Sequence, residues 1–586
     1  MLTAAACLLV VTLGAFLRLV GTNWDEGANL HPDERHMMFV VSDTMTGLAA
    51  LKPGDMSLAE LWFATGESPF DPRQKERLYV YGELPHLAVS GTAWLAGMSG
   101  WPEVLRLART MGAVLDAYTI LAVFLLGTLA LRSAPAGLGA ATLYALSPLA
   151  IQHANFFTVD IWLTAATAWC LVAATMLVRA RSQRAALGWA AASGALAGIA
   201  LACKLPGLAL FGVVVVAIVV NYRGRGAHRR LASLAAALAL ALVFTCVAFR
   251  LACPFTFQGP GIFGLALAPN FIKGYAEMSH VVLDPGFPPN WQWIAGYSPA
   301  RALLDLGIWG LGPVTTVALV ASLALLAWRG PPSWPGLLPL AALAAAITIY
   351  WISGPIPALR YVMPALPALC VIAAAPFPWL AASLTGRALL ALMVVAAGLW
   401  GLGMVTLHSS TNSRVAASRW LWLNTQPGTV LVNETPWDDG LPVPVRLSGK
   451  PELAWAGQGE HFELLTFGLE APDNEEKAAK IAKLLDQADL VILSSERMRK
   501  PITALASRFP MTSAYYEMLG SGELCFERVY RDQRGYPVLG FAFSDRSAQE
   551  PWSVYDHPTV EIYRKLGCYE RQRTQSRLIQ ALANGS

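Results

Sequence analysis

The chain is 586 residues long, 55% hydrophobic and only 14% charged, with a formal net charge of +4 at pH 7. Soluble proteins carry about 25% charged residues, so this composition is that of an integral membrane protein. The small net charge, with no basic run and no finger-like spacing of cysteines, argues against a nucleic acid as partner.

Apolar stretches long enough to cross a bilayer, which takes about 20 helical residues, recur along the first 407 residues. In chain order they are residues 2–20, 106–131, 137–152, 160–178, 186–204, 206–221, 231–249, 302–328, 336–353, 361–382 and 387–407. The stretch 82–98 is interrupted by Gly, Pro and His, which indicates an interfacial or re-entrant helix. The first stretch lacks the basic start and cleavage site of a signal peptide, so we expect a permanent helix.

The arginines between the spans predict the orientation of the chain. Five short connections on one side carry arginines and no Asp or Glu, whereas the long segments 21–105, 250–301 and 408–586 fall on the other side. Short loops rich in Lys and Arg stay in the cytoplasm. We therefore expect a multi-pass protein of the inner (plasma) membrane, with a cytoplasmic N terminus and a tail in the periplasm or outside the cell.

The tail, residues 408–586, alternates helix and strand patterns. The segment 475–498 predicts an amphipathic helix followed by a short apolar strand, and "GTVLVNE" and "PTVEIYRK" predict further strands. "SRVAASRWLWLNTQPG" predicts a helix that stops at Pro-Gly. We expect a soluble α/β domain here, beside a transmembrane domain of residues 1–407. Cys525 and Cys568 could form a disulfide within it, which the sequence alone does not decide.

Ionisable residues stand at the outer ends of several spans. The acids are Asp33, Glu34 and Asp160, and the bases are Lys204, Arg250 and Arg360. Charges in a membrane segment are costly and mark functional sites, although bases at span ends also reach the headgroups with their long side chains. Bases suit a lipid phosphate, and a carboxylate suits a general base acting on an acceptor. This is the chemistry of membrane glycosyl transfer. Asp116 lies deeper in the second span, where we expect it to pair with a neighbouring Arg or Tyr.

The same segments resemble motifs of the GT-C superfamily of polyprenyl-phosphate-dependent glycosyltransferases. The nearest group is the protein O-mannosyltransferase and aminoarabinose-transferase-like one, of glycosyltransferase family 39 type. The similar segments are "LHPDERH", "SPFDPR…YVYGELPHL", "IQHANFFTVDIWLT", "CKLPGLAL", "FRLACPFTFQGPGIFG" and "ALRYVMPALPAL". The resemblance covers about residues 1–400 and continues more loosely through the tail, where it implies no defined role for "NETPWDDGLPV" or "SVYDHPTVEIYRK".

The resemblance implies a fold and a set of site residues. The fold is a polytopic α-helical membrane protein of GT-C type, with about 11 transmembrane helices and a C-terminal soluble α/β domain. Its catalytic residues are expected to be Asp33, Glu34 and Asp160, and its donor-phosphate ligands Lys204, Arg250, Arg360 and Tyr361. On the acceptor or sugar side we expect His31, His36, Tyr81 and His153. We add Trp437 from the residues alone, because it pairs an aromatic ring with the neighbouring acids of "PWDDG".

The resemblance also implies an activity. It is the transfer of a hexose or pentose from a polyprenyl phosphate, such as undecaprenyl phosphate, to a periplasmic protein, lipid or glycan, with inversion at the anomeric carbon. Membrane lipids surround such an enzyme. No cofactor is certain; a divalent metal ion could be held by His31, Asp33 and Glu34, although their spacing is not specific for a metal.

Two other functions would also suit a polytopic membrane protein. A transporter or flippase of lipid-linked sugars would place charges near the midplane and commonly has internal repeats, whereas these charges cluster at outer ends. A non-enzymatic scaffold with an exported binding tail would leave the outer acids and bases unexplained. Labelled polyprenyl-phosphate sugar added to isolated membranes distinguishes them, because only the enzyme consumes it.

Overall fold

The computed structural model describes residues 2–74, 77–223, 227–330, 334–434, 440–443 and 462–585. Contacts within the chain divide it into two compact units. The first unit comprises Met1–Asn23, His31–Val281 and Pro299–Val405, and the second comprises Trp24–Leu30, Val282–Ser298 and Thr406–Ser586. Two short pieces of the predicted outer loops therefore group with the C-terminal residues.

In its described residues, the regular structure of the first unit is helical apart from a hairpin of two short strands, Phe257–Gln258 and Ala266–Leu267. The helices that belong wholly or mainly to it are Leu2–Leu19, Pro32–Ala50, Leu58–Phe63, Leu84–Leu95, Trp101–Leu131, Ala134–Ala145, Pro148–Ala154, Val159–Arg179, Gln183–Leu201, Ala209–Tyr222, Ala227–Ala252, Pro269–Leu283, Pro299–Asp305, Pro313–Arg329, Trp334–Ser353, Leu366–Ala373, Phe377–Leu380 and Leu384–Ser409. The helix predicted within residues 82–98 is thus Leu84–Leu95.

In the described part of the chain, nine helices are long and apolar enough to cross a membrane. The number rises to eleven when each of two bent helix pairs is counted as one span, so the prediction of about 11 spans in a multi-pass membrane protein is confirmed.

The two bent pairs share a physical cause. In the first, Ala134–Ala145 and Pro148–Ala154 meet at 58°, and in the second, Pro299–Gly310 and Pro313–Arg329 meet at 119°. A proline begins the second helix of each pair. Proline suits this position, because the first N–H groups of a helix have no partner within it, whereas inside a continuous helix it would break the hydrogen-bond pattern. The predicted spans 137–152 and 302–328 are therefore broken rather than continuous.

The segment "HPDERH" is the start of a helix, Pro32–Ala50, within a region that the sequence indicated only as an outer loop. His31 caps the helix, its Nδ1 accepting from the backbone N–H of Glu34 at 3.4 Å, and Pro32 occupies the first turn. The helix buries Met37, Met38 and Val41 among other apolar side chains. Its two acids lie in the first turn, where the helix dipole favours negative charge.

Asp116 forms a buried network with the first helix of the chain. Arg18 Nε donates to Asp116 Oδ2 at 2.5 Å, and the Tyr144 hydroxyl donates to Asp116 Oδ1 at 2.5 Å. The remaining guanidinium donors of Arg18 reach the carbonyls of Gly14 and Ala145. The expected pairing of Asp116 with an Arg or a Tyr is confirmed, and both partners are present.

The second unit contains a five-stranded mixed sheet. Its spatial order is Phe462–Thr466, Thr429–Asn433, Leu490–Leu493, Val560–Lys565 and Phe526–Asp532. The first three strands are parallel, and the last two run antiparallel to their neighbours. A separate hairpin joins Tyr536–Val538 to Phe541–Phe543.

Helices cover both faces of this sheet, as an α/β layer arrangement requires. They are Trp291–Ile294, Ser413–Asn424, Glu475–Gln487, Arg499–Ala504, Pro510–Ser521 and Arg571–Gly585. A further short helix, Glu550–Ser553, packs Trp552 against Tyr536 of the hairpin. One apolar cluster contains Val491 and Ile481, and the cluster on the opposite face contains Ile492 and Leu421. The prediction of an α/β domain is confirmed, and Cys525 and Cys568 form a disulfide with Cα atoms 5.7 Å apart.

A buried chain of histidines and aspartates runs through the second unit. His408 Nε2 lies 3.0 Å from Asp556 Oδ2, and His557 contacts Asp556 with Nδ1 and Asp545 with Nε2, the latter at 2.6 Å. Burial lowers the pKa of His557, but the two carboxylates outweigh it and raise this pKa to about 10. The imidazole is therefore cationic at neutral pH in the folded protein.

We expect this histidine to make the stability of the second unit fall as pH rises from 7 to 9. A histidine in the unfolded chain has a pKa near 6.5, so above that pH folding requires the uptake of a proton. The free energy that protonated His557 contributes to folding therefore declines as pH rises towards 10. Thermal unfolding of the full chain across this range measures the effect. His557→Gln should flatten the pH dependence; an unchanged slope in the variant would contradict the assignment.

Candidate functional site

Asp33 pairs with a base from far along the chain. Arg360, in the 3-10 turn Leu359–Ala365, donates from Nη1 to Asp33 Oδ2 across 327 residues of sequence. The two side chains are 24% and 20% exposed, so a ligand can reach this pair. Burial alone would raise the pKa of Asp33, but Arg360, His31 and Lys204 together hold it below the usual aspartate range. Asp33 is a carboxylate at neutral pH.

A second ion pair lies beside the first. Lys204 Nζ donates to Asp160 Oδ1 at 2.7 Å; the side chain of Asp160 is 4% exposed and that of Lys204 16%. Lys204 Nζ lies 4.5 Å from the centre of the Tyr361 ring, and Arg360 Cζ lies 5.2 Å from it. One aromatic ring thus contacts both cations, an arrangement that the ring quadrupole stabilises.

The predicted aromatic and histidine residues surround these pairs. Burial raises the pKa of Tyr81, and the nearby carboxylate of Asp33 raises it further, so the phenol stays protonated. The ring of His36 lies 6.1 Å from that of Tyr81. His31 and His153 both contact the ring of Phe156, with centroids 4.7 and 5.5 Å from it.

A backbone contact places Tyr81 next to Lys204. The N–H of Gly82 donates to the carbonyl of Cys203 at 3.0 Å, and the N–H of Leu84 donates to that of Ala202 at 3.1 Å. A Cβ atom at Gly82 would collide with the backbone of Ala202. Only glycine permits this approach, which joins the "YGEL" and "ACK" segments directly.

Glu34 points away from its neighbour Asp33, because adjacent helical residues are rotated by about 100°. Its carboxylate forms an ion pair with Arg109, Nη2 to Oε1 at 2.8 Å, and both side chains are at most 1% exposed. The backbone N–H of Phe157 donates to the same carboxylate at 3.4 Å. Glu34 therefore ties the start of its helix to two other segments; its predicted catalytic role stays a prediction.

Arg250 is engaged by the backbone of its own loop. Its Nη1 donates to the carbonyl of Pro254 at 3.0 Å and its Nη2 to that of Gly261 at 2.7 Å. Its guanidinium also lies over the rings of Phe63 and Phe257. These contacts fix the loop after the helix Ala227–Ala252, and none of them involves the Asp33 or Asp160 pair. Trp437, expected on the acceptor side, lies outside the described residues.

Sequence reasoning missed one buried pair close to the site. Arg73 Nη1 lies 2.6 Å from Glu83 Oε1, and neither side chain is more than 2% exposed. Glu83 also accepts from the N–H of Phe255 at 2.8 Å and from the Thr256 hydroxyl at 3.0 Å. The pair holds the "YGEL" segment against the loop that Arg250 organises. Both residues fall in segments quoted for the family resemblance, which was the available signal.

A metal set is not assembled in the residues that the structure describes, where no group of three or more His, Cys, Asp and Glu side chains could hold an ion. Of the predicted candidates, Asp33 pairs with Arg360 and Glu34 with Arg109. His31 caps the helix with its Nδ1. The three side chains thus have separate partners.

No protein-family model and no curated protein sequence matches this chain. Solved structures do. The chain is similar to the oligosaccharyltransferase AglB from Archaeoglobus fulgidus, in complex with an inhibitory peptide and a dolichol-phosphate, with a TM-score of 0.48 and 14% identity over 91% of this chain and 73% of that chain.

It is also similar to ArnT from Cupriavidus metallidurans bound to undecaprenyl phosphate, with a TM-score of 0.46 and 16% identity over 96% of this chain and 98% of that one. A third structure, arabinofuranosyltransferase AftD from Mycobacteria, has a TM-score of 0.41 and 16% identity over 94% of this chain but only 39% of that chain. These are glycosyltransferases of the GT-C superfamily, which the sequence motifs resemble. Since all three TM-scores are below 0.5, the function proposed below rests on this chain's own residues.

Proposed function

We propose that the protein is a membrane glycosyltransferase that moves a sugar from a polyprenyl-phosphate donor to an acceptor on the outer face of the membrane. The observation that carries this proposal is the meeting of two ion pairs, Asp33 with Arg360 and Lys204 with Asp160, at the ring of Tyr361. Two bases and two carboxylates from distant parts of a membrane-helical unit thus form one partly exposed cluster.

The bases provide a site for the lipid phosphate. A guanidinium binds phosphate oxygens in bidentate fashion, and an ammonium acts as a point charge beside it. When the bond between the anomeric carbon and the phosphate oxygen breaks, its electron pair stays on that oxygen. The phosphate therefore gains a negative charge. Arg360 and Lys204 are the groups that would stabilise this charge, and Tyr361, in contact with both, would hold them in position.

The pairing of Asp33 with Arg360 suggests how the donor activates the base. While Arg360 donates to Asp33, the carboxylate has a lowered pKa and accepts a proton poorly. A donor phosphate competes for the same guanidinium. Once Arg360 turns to the phosphate, the pKa of Asp33 rises, because it has lost its closest cation. The base then becomes effective only after the donor has bound.

The remaining assignments extend the same proposal. Asp33 removes the proton of the acceptor nucleophile, and attack on the anomeric carbon opposite the phosphate gives inversion. Tyr81, His36, His31 and His153 line the sugar and acceptor side. Glu34 and Arg250 keep Asp33 and the outer loop in position through the contacts described above.

The proposal also includes a cellular location, a donor and an acceptor. The membrane domain is residues 1–407 of an inner-membrane protein with a cytoplasmic N terminus, and residues 408–586 lie in the periplasm. The donor is a sugar on undecaprenyl phosphate or a related carrier, and the acceptor is a protein, lipid or glycan.

The test uses the purified full chain in liposomes with a radiolabelled undecaprenyl-phosphate sugar and an extract of outer-surface acceptors. The expected result is consumption of the labelled donor, release of undecaprenyl phosphate and label in a new product. A flippase would move the intact donor across the bilayer, and a scaffold would leave it unchanged. Either of those outcomes would contradict the proposal.

A further inference from the structure

The second unit contains a cleft of about 500 Å³ that is rich in cations. Residues of the helices Arg499–Ala504 and Pro510–Ser521 and of the strands Phe526–Asp532 and Val560–Lys565 line it. The basic side chains that line it are Arg499, Lys500, Arg528, Arg531 and Arg546. The volume lies within the range of small-molecule sites in proteins.

Negative charges in and behind the cleft are fewer than the positive ones. The lining acids are Glu496, Glu517 and Glu561, against five lining bases. A further carboxylate, Glu434, is buried behind the wall and accepts from the Tyr516 hydroxyl at 2.6 Å. Even with Glu434 included, the cleft keeps an excess of positive charge, so an anion would gain by entering it.

A β-bulge gathers two of the arginines on one face of the sheet. Residues 528 and 531 are three positions apart, so in a regular strand they would point to opposite faces. The pairing of Phe526–Asp532 with Val560–Lys565 shifts its register between Arg528 and Tyr530. As a result Arg528 lies opposite Tyr563 and Arg531 opposite Glu561, and these two partners share one face. Bulges commonly re-aim side chains in this way beside binding sites.

One carboxylate holds three guanidiniums in this cleft. Glu561, which is 3% exposed, lies 2.6 Å from Arg499 Nη1, 3.2 Å from Arg528 Nη1 and 3.2 Å from Arg531 Nε. Each guanidinium has five donor hydrogens. The single carboxylate of Glu561, divided among three guanidiniums, cannot accept all of them. Arg528 and Arg531 are 44% and 37% exposed, and Arg531 also donates from Nη2 to Gln533 Oε1. Solvent, and therefore a ligand, can reach the donors that these contacts leave.

We propose that this cleft binds a phosphate or carboxylate group carried by a ligand of about the size of one or two sugars. Glu561 orients the guanidiniums, and the ligand's anionic group takes their remaining donors in the bidentate geometry that arginine offers. The inference does not depend on the proposed transferase activity, because every lining residue lies in the second unit.

The test measures binding to the full chain in nanodiscs of phosphatidylcholine by isothermal titration calorimetry. The probes are glucose 6-phosphate, glucuronate, inorganic phosphate and, as an uncharged comparison, glucose. Glucose 6-phosphate and glucuronate should bind with an affinity that falls as salt increases, inorganic phosphate more weakly, and glucose should not bind. Arg528→Gln and Arg531→Gln should each weaken the binding of glucose 6-phosphate by about tenfold, the size of one charge-assisted hydrogen bond.

The matched control is Arg577→Gln. Arg577 is an arginine of the same unit that is 32% exposed, pairs with Glu523 at 3.1 Å and lies outside the cleft, so its loss should leave affinity unchanged. A purely structural role for the arginines predicts instead that Arg528→Gln lowers the melting temperature while glucose 6-phosphate affinity stays the same. That result would overturn the proposal, as would equal losses in all three variants. Failure of both glucose 6-phosphate and glucuronate to bind in the phosphatidylcholine nanodiscs would also overturn it.

Discussion

Replacing Asp33 by Asn should lower donor turnover by about 10²–10⁴-fold, the usual contribution of a general base. The amide keeps the shape of the side chain and can still accept a hydrogen bond from Arg360, but it cannot take up a proton. The chemical step should therefore slow while donor binding and folding are retained. Single-turnover kinetics with saturating undecaprenyl-phosphate sugar, on the purified full chain, measure the chemical step directly.

The neighbouring residue supplies the matched control. Glu34→Gln removes the carboxylate that pairs with buried Arg109, and breaking such a pair costs about 3–5 kcal/mol. Its main effect should be a lower melting temperature, with the activity of the remaining folded protein largely kept. Near-normal turnover in Asp33→Asn, or a larger catalytic loss in folded Glu34→Gln, would reverse the roles proposed for the two acids.

Replacing Arg360 or Lys204 by Ala should weaken binding of undecaprenyl phosphate by about 1.5–3 kcal/mol, the scale of a hydrogen bond to a charged group. This is roughly 10–150-fold in the dissociation constant. Each variant also leaves a carboxylate without its base, so affinity must be measured on protein that is shown to be folded. Equilibrium titration with the carrier lipid in detergent gives the constant.

Arg250→Ala separates the two kinds of outer base. Arg250 donates to the carbonyls of Pro254 and Gly261, so its loss should reduce stability and leave lipid affinity unchanged. If all three variants lose affinity equally, Arg250 belongs to the donor site after all. If none does, Arg360 and Lys204 serve only to neutralise Asp33 and Asp160.

Hydropathy and charge were sufficient to predict the membrane fold, because each span is a local property of about 20 consecutive residues. The alternation of apolar residues predicted the tail's helix at Glu475–Gln487 and its strand at Leu490–Leu493 for the same reason. The helix Pro32–Ala50 was missed, since it mixes charged, polar and apolar residues and buries only part of its surface.

For the candidate site, the sequence predicted which residues lie near one another but not how they pair. Residue type and position at the ends of spans were enough to select Asp33, Asp160, Lys204 and Arg360 as candidates, but their partners are set by packing between segments far apart in the chain. The roles of Asp33 and Glu34 could not be distinguished from the sequence. The distinction depends on knowing that the two residues begin a helix, which points their side chains in different directions. The enclosure of Arg250 by its own loop is likewise visible only in three dimensions.

The bulged strand Phe526–Asp532 has a second consequence, for solubility. It is an outermost strand of its sheet, so one row of its backbone donors and acceptors has no neighbouring strand within the five-stranded order. Such a row can recruit a strand from another molecule and start aggregation. The strand counters this in two ways: the bulge interrupts the regular spacing that an incoming strand would need, and charged side chains at Arg528 and Arg531 are costly to cover. The irregularity that brings the arginines together is thus also expected to make strand pairing along this edge less favourable.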